Sequence, residues 1–534
     1  MHQPMPPKAA KPIAGKTEAA GSHAPKSNDV RPTQSATVRM FCHGLGDCFL
    51  ITIPQEGPRD YAILIDCGIA MGTSGEQGLM KQVVETIAKL TKDPATGRGH
   101  VDLLAVTHEH RDHVSGFVQA EVELAQIQFD HVWVAWTENP ADALANELRA
   151  KHAKEKAAFA RAFRTAKTFR SSALDARKVK ALAGVLAFYG AVSAAGGKLV
   201  DTAAAMAKAT DLAKTKPPPY LMPGDVLRLP GAEPGGYAGA VRVFVLGPPH
   251  DGPTLRRINP GKNRETYDKK KAALGAFGMS WTWAAAMSGH ASLSGVDNQV
   301  SDESDFERSM PFDRKWRLNL KELAEGTTAD FFQDHYLSGE AQRRIDGDWL
   351  WTGAQQLALY MESYTNNTSL VLAFELPKSK RVLLFAGDAQ VGNWLSWHDI
   401  EEFKSKDGQT LSTKAADLLA NTVLYKVGHH GSHNATLREK GLELMSHPEL
   451  VAMLPVESTA VDRLGYGEMP LGSLVEALRQ RAEGRVLRLD ERWQGGKCPG
   501  TWRQGMSLAR LSPEAFQAGA GQRPVYIEYT ITDE

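Results

Sequence analysis

Residues 107–116 read Thr-His-Glu-His-Arg-Asp-His-Val-Ser-Gly, which places four metal-capable side chains, His108, His110, Asp112 and His113, within six positions. Neutral imidazole nitrogens with one carboxylate suit zinc and related divalent ions. Two later segments repeat the design. Phe385-Ala-Gly-Asp-Ala ends an apolar run with Asp388, and Thr422–Val427 leads through Gly428 to His429 and His430. A Gly-Asp turn or a His-His pair carries little by itself. Together they offer a carboxylate able to bridge two cations and the imidazole that a second position lacks. Asp66, at the end of Tyr61–Asp66, is placed to orient a ligand histidine from behind. The chemistry these types serve is hydrolysis by water activated between two divalent cations, which needs no Ser or Cys nucleophile. Gly431-Ser432 reads as a tight turn.

Such a site needs strands that end where the loops begin. Val101–Val106 is an apolar run that reads as a buried strand feeding the histidine loop. Residues 37–54 and 61–67 hold further strand-like runs, 77–91 has helical spacing, and Phe129–Trp136 is again strand-like. This alternation predicts an α/β fold. Asn139-Pro140 reads as an N-cap and first helical position, opening a long Ala/Lys/Arg-rich helical region that stops before Pro217. Strand signals resume at 225–229 and 241–246, and again at 370–376, 382–386, 423–427, 450–455, 486–489 and 525–530. The expected organisation is a leader over 1–36 too poor in apolar residues to order, then one α/β domain over 37–534. Two insertions interrupt that domain, a basic helical one at about 139–219 and a Trp-rich one at about 251–362.

The 534 residues carry 62 basic and 62 acidic side chains, so no global charge pulls the chain to nucleic acid or membrane. Four cysteines are too few for a disulfide framework. The Ala/Gly-rich stretch 181–197 is short of a membrane span, and the first residues lack a secretory apolar region. A soluble, cytoplasmic protein that does not bind membranes is expected.

The order of the motifs resembles the metallo-β-lactamase-fold hydrolases, whose hallmark is His-x-His-x-Asp-His after a strand. The closer similarity is to the branch containing the hydrolase domain of the ComEC competence protein. That branch's Gly-x-Gly-Asp, Leu-Ile-Asp-x-Gly and Asn-Asn-x-Ser-Leu-Val-Leu are matched at 44–47, 64–68 and 366–372; its Gly-Asp and Lys-Val-x-His-His-Gly-Ser are matched at 387–388 and 426–432. The resemblance implies an αββα sandwich that covers the core but neither insertion. It also implies that His108 and His110 hold a first metal and Asp112 and His113 a second. Asp388 bridges them, and one of His429 and His430 completes the set. Direct exit from the strand favours His429 as ligand, leaving His430 with Asp112 in a catalytic role facing substrate; the opposite assignment stays open. Asp47, Asp66 and Asn366 stand behind the ligands.

Two departures matter. Asn366-Asn367 lies where the superfamily often carries a further His, and Glu468 stands where the branch reads His in Tyr-Gly-His-Pro. The implied function is a binuclear phosphodiesterase or nuclease using two zinc or manganese ions, with nucleic acid or a nucleotide as substrate. Basic residues from Arg149 to Arg170 and from Arg256 to Lys271 could track phosphates, or serve as solvated faces. Hydrolysis of another ester, amide or phosphorylcholine-type bond, or a non-catalytic module on the same fold, are the competing readings.

Overall fold

Short apolar runs buried on both faces form the strands that end at the site. Phe49–Ile53 (β2), Tyr61–Ile65 (β3) and Val371–Glu375 (β9) are buried at every position, as expected of strands covered on both sides. The computed structural model describes residues 34–71, 73–153, 201–257, 265–267, 329–337, 364–464, 468–490, 509–516 and 523–534. Gln34–Glu534 forms one compact unit.

Two mixed sheets face each other. The first has eight strands in the order β16-β17-β1-β2-β3-β4-β5-β6. Its remaining members are Ser35–Phe41 (β1), Gly99–Ala105 (β4), Ile127–Ala135 (β5), Tyr220–Leu221 (β6), Ala509–Leu511 (β16) and Tyr526–Thr532 (β17). The second has nine strands in the order β12-β11-β7-β8-β9-β10-β13-β14-β15. It adds Asp225–Arg228 (β7), Arg242–Gly247 (β8), Val382–Phe385 (β10), Phe403–Ser405 (β11), Thr410–Leu411 (β12), Thr422–Lys426 (β13), Val451–Leu454 (β14) and Val486–Arg488 (β15).

Alternation along the second sheet divides two cores. Leu372, Phe374, Leu383, Phe385 and Met453 face the core shared with the first sheet. Val371, Ala373, Leu384, Ala452 and Leu454 face a second cluster. Helices Val391–Trp397, Ala415–Ala420, Ser458–Leu464 and Gly472–Arg481 contribute to that second cluster. On the first sheet, helix Glu76–Leu90 buries Leu79, Met80, Val83, Val84 and Ile87, with Glu76 in its first turn and Lys89 in its last to suit the helix dipole. Phe49 and Phe385 meet edge to face across the sandwich, with ring centres 5.6 Å apart. The chain is therefore mixed α/β, two facing sheets with helices outside.

What positions the site is parallel pairing. β3, β4 and β5 run parallel, and so do β10, β13, β14 and β15. Parallel neighbours end at the same edge of a sheet, where α/β folds place ligands. Asp66 follows β3, the histidine loop follows β4, Asp388 follows β10, and His429-His430 follow β13.

The expected strands and the 77–91 helix are all present within a few residues. Three details differ. The first strand begins at Ser35, already buried, so the ordered fold starts ahead of residue 37. Asn139-Pro140 forms a turn, and the next helix starts at 143 with the Asp142 carboxylate accepting the Ala145 N–H at 2.8 Å. Arg149 is engaged on that turn, donating to the carbonyls of Thr137 and Asn139 and to Asn146. Residues 1–33, most of both insertions with their tryptophans, the 181–197 stretch and Cys498 lie outside the described residues. Among those described, no helix is long and apolar enough to cross a membrane.

Phe385→Ala is expected to cost about 3–5 kcal/mol, since it empties the contact between the sheets. Urea denaturation measures it; a loss below about 1 kcal/mol would mean that the sheets are held together elsewhere.

Candidate metal centre

The histidine loop is held against the β3 loop at van der Waals limits. A Cβ on Gly68 would lie 2.3 Å from the Asp112 carbonyl carbon and from the His113 nitrogen, so only hydrogen fits. The Cys67 N–H donates to the His113 carbonyl at 2.9 Å, and the Asp47 N–H to that of Asp112 at 2.9 Å. Asp66 then fixes the side chains. Its Oδ1 accepts the Thr107 N–H at 2.8 Å, and its Oδ2 accepts the Thr107 hydroxyl at 2.7 Å and His113 Nδ1–H at 2.8 Å. Asp66 thus stands behind His113 as the sequence implies.

These bonds set the tautomers, and the tautomers expose an electrostatic problem. With its Nδ1 proton given to Asp66, His113 directs Nε2 at Asp388 Oδ2 from 3.0 Å, so a proton or a cation is needed between them. His430 Nδ1 lies 2.6 Å from the Pro455 carbonyl, so it too donates there and turns its Nε2 to Asp112 Oδ2 at 2.8 Å. Each nitrogen–oxygen pair needs a proton or a cation between its members. Among the described residues, Asp112 Oδ1, His113 Nε2 and Asp388 Oδ2 are buried with no aligned hydrogen-bond partner. Buried groups of this kind are costly unless a cation or proton satisfies them. One ligand atom from each of Asp112, His113, Asp388 and His430 falls within 4.8 Å of the others, so this cluster can hold a metal ion. The donor set fits.

His108 and His110 form the adjoining half. His108 Nδ1 lies 3.0 Å from the Thr107 hydroxyl oxygen, and its Nε2 lies 3.0 Å from His110 Nδ1. The His108 and His113 ring centres are 4.2 Å apart, so the two halves are contiguous.

Within the His-His pair, the structure places His430 rather than His429 in the cluster, reversing the assignment that direct exit from the strand favours. His429, His430 and Gly431 all have left-handed backbone, φ 40°, 50° and 78°, and this coil swings the second imidazole back beneath the strand end. His429 lies at the rim, 7 % exposed, its Nδ1 2.8 Å from the Ser432 hydroxyl and its Nε2 3.5 Å from Asn366 Nδ2. Its backbone N–H donates to Asp388 Oδ1 at 2.9 Å.

Lys426, which opens the Lys-Val-x-His-His-Gly-Ser motif but has no role implied there, is the buried counter-charge. Its ammonium donates to Asp388 Oδ1 at 3.2 Å and the Gly387 carbonyl at 2.8 Å, and pairs closely with Asp47. Asp388 Oδ1 is thereby occupied, and only Oδ2 faces the imidazoles. Burial would raise the Asp388 carboxyl, but His113 and Lys426 hold it well below the usual range. Burial likewise opposes ionisation of Asp112, yet His113 and His430 bring it down to about 2. Burial would lower His113, and the carboxylates of Asp388, Asp47, Asp112 and Asp66 overcome it, holding the ring charged in the metal-free chain. Burial lowers His108, helped by its neighbours His113 and His110. Asp47 is raised, because burial outweighs Lys426.

Gln390 and Asn434 do not stand out in the sequence, and Ser369 does so only as part of the motif at 366–372. Ser369 accepts the Asp388 N–H at 3.0 Å, while Gln390 bridges His429 at 3.2 Å and Asn434 at 2.8 Å. A different grouping, His100 with Asp102 and Asp130, sits at the far end of β4. There Arg59 takes both Asp102 oxygens at 2.6 and 2.7 Å, leaving a closed structural network. Comparison with protein-family models, curated proteins and solved structures returned no match.

Lys426→Met should destabilise the metal-free chain by about 3–5 kcal/mol, as it leaves two buried carboxylates without their cation. Adding manganese(II) should close part of that gap by binding the folded state. Urea titrations of both proteins, with and without the ion, measure both effects; equal midpoints for wild type and variant would remove Lys426 from this role.

Proposed function

We propose that the chain is a binuclear metal-dependent hydrolase of the metallo-β-lactamase fold, acting on phosphodiester bonds as a phosphodiesterase or nuclease. The observation that carries the reading is the buried meeting of Asp112, His113, Asp388 and His430, with each imidazole Nε2 aimed at a carboxylate oxygen. His113 Nε2, His430 Nε2, Asp112 and Asp388 Oδ2 would hold one divalent ion, zinc or manganese. His108 and His110, with Asp388, would hold the other. Two such ions supply an activated water at neutral pH and neutralise charge on a phosphoryl group.

The chain's own residues do the rest. Asp66 and Thr107 fix the His113 tautomer, the Pro455 carbonyl fixes that of His430, and Lys426 restricts Asp388 to a single free oxygen. His429, at the rim beside Asn366, is placed to contact substrate or to hold a proton for the leaving group. Asn366, in the position where a further histidine is common, keeps its Oδ1 buried without a hydrogen-bond partner among the described residues. The first ion would thus rest on fewer charged or imidazole ligands than the second.

Protein purified without chelators is expected to contain about two divalent ions per chain by metal analysis. It should cleave bis-p-nitrophenyl phosphate and single-stranded DNA or RNA, and Asp112→Ala should lower that activity at least about a hundredfold with loss of metal. A folded wild type that takes up no divalent ion would remove the proposal.

A further inference from the structure

Next to the metal centre lies a cavity of about 370 Å³ whose lining includes Ser458, Asp462, Met469, Pro470, Arg479 and Arg488. It sits over the ends of β14 and β15, which run parallel to β13 in the same sheet, at the edge where His429 and His430 emerge. Its wall touches the metal loop. A Cβ on Gly431 would lie 2.8 Å from Pro470 Cβ, and the Leu471 N–H donates to the Gly431 carbonyl at 2.9 Å. The Pro455 carbonyl that orients His430 is three residues ahead of Ser458.

The charges in the cavity are arranged, not averaged. Arg488 is locked by two bonds to Asp490, at 3.0 and 2.9 Å, and one to the Ser458 hydroxyl at 3.0 Å. This fixes a guanidinium in the wall. Arg479, on helix Gly472–Arg481, is exposed and forms no ion pair among the described residues; Asp462 likewise forms none. The other acid there, Glu468, is engaged as acceptor for the Gly472 N–H at 3.1 Å. A bare anion would meet the carboxylates as well as the guanidiniums. A ligand with an anionic end and hydrogen-bond donors at the other end meets both signs favourably, and the volume is in the range of small-molecule sites.

We propose that this cavity is a subsite for the nucleotide adjoining the bond to be cut. Its phosphate is taken by Arg479, beside the Arg488 guanidinium already paired with Asp490, and its base amino or sugar hydroxyl groups by Asp462. The inference rests on the phosphodiesterase reading for its place in a reaction, but the binding is separately measurable.

The test uses the full chain as Arg479→Gln, with Lys404→Gln as a remote variant that loses the same charge. The first readout is KM and kcat for a hexanucleotide of DNA beside bis-p-nitrophenyl phosphate, which carries a single phosphate and no nucleoside. Arg479→Gln should raise KM for the hexanucleotide about tenfold, leaving kcat, metal content and both constants for the small ester unchanged. The second is the anisotropy of a labelled hexanucleotide on chelator-treated protein, where the same variant should bind about tenfold more weakly, and AMP should compete far better than inorganic phosphate. Equal losses on both substrates, an equal effect of Lys404→Gln, unchanged binding, or competition by phosphate equal to that by AMP would each overturn the subsite. Arg479-dependent binding in a chain that hydrolyses neither substrate would support the subsite and remove the hydrolase reading instead.

Discussion

Two imidazole nitrogens aimed at two carboxylate oxygens across about 3 Å in a dry interior need a proton or a cation between them, and the fold around residues 112, 113, 388 and 430 is organised to keep them there. An isolated chain would relax by rotating any one of these side chains. Each is prevented by a different element: Asp66 for His113, the Pro455 carbonyl for His430, and Lys426 with the His429 N–H for Asp388. Strain is stored in the backbone as well. Of the five non-glycine residues with left-handed φ among those described, three are Asp66, His429 and His430. Such conformations persist when surrounding packing over-determines them, and they concentrate at functional sites.

That arrangement explains why the site sits at the end of a sandwich rather than in a surface loop. Each contributing loop leaves a strand buried on both faces, so the register of the sheet sets the position of each side chain. Asp66 and His113 are bound to each other from neighbouring parallel strands, and Asp388 and Lys426 repeat the relation in the facing sheet. The electrostatics follow from the burial. Four carboxylates, Asp47, Asp66, Asp112 and Asp388, share one lysine, and in the metal-free chain the His113 ring holds a proton in partial compensation. A site that draws a proton onto a buried imidazole is one that offers a strong place for a cation.

Much of this was legible in the sequence because it depends on local order along the chain. Apolar runs gave the strands, and metal-capable types immediately after them gave His108, His110, Asp112, His113 and Asp388. What escaped depends on backbone handedness or on distant partners. Nothing in Gly428-His-His-Gly431 states that both histidines are left-handed, and that conformation alone decides which imidazole turns inward. Lys426 stands in a matched motif, but its role as counter-charge shows only when Asp47, nearly four hundred positions earlier, is seen beside it. Asn139-Pro140 is a plausible cap, and the Asp142 carboxylate wins because it reaches the N–H of Ala145. Two-residue edge strands such as β6 and β12 have no periodicity to read.

The junctions of the two insertions bear on the same centre. Trp136, Ala145, Leu148, Leu255 and Tyr364 form a small separate core at the points where the first insertion departs and the second departs and returns. Asn367 ties that core to the site: its side-chain N–H groups reach the Leu255 carbonyl at 2.9 Å and that of Arg257 at 3.3 Å. Its Oδ1 accepts from Gln390 and Asn393 at 3.1 Å each. The preceding residue is Asn366, the neighbour of His429. The start of the second insertion, the helix after Asp388 and the rim of the metal centre are therefore joined through one buried amide. The packing of the insertion ends can set where Asn366 stands while the ligands held by Asp66 and Pro455 stay fixed. One core fixes the clustered histidines and carboxylates and a separate cluster fixes the rim, so the rim can vary without disturbing the buried group.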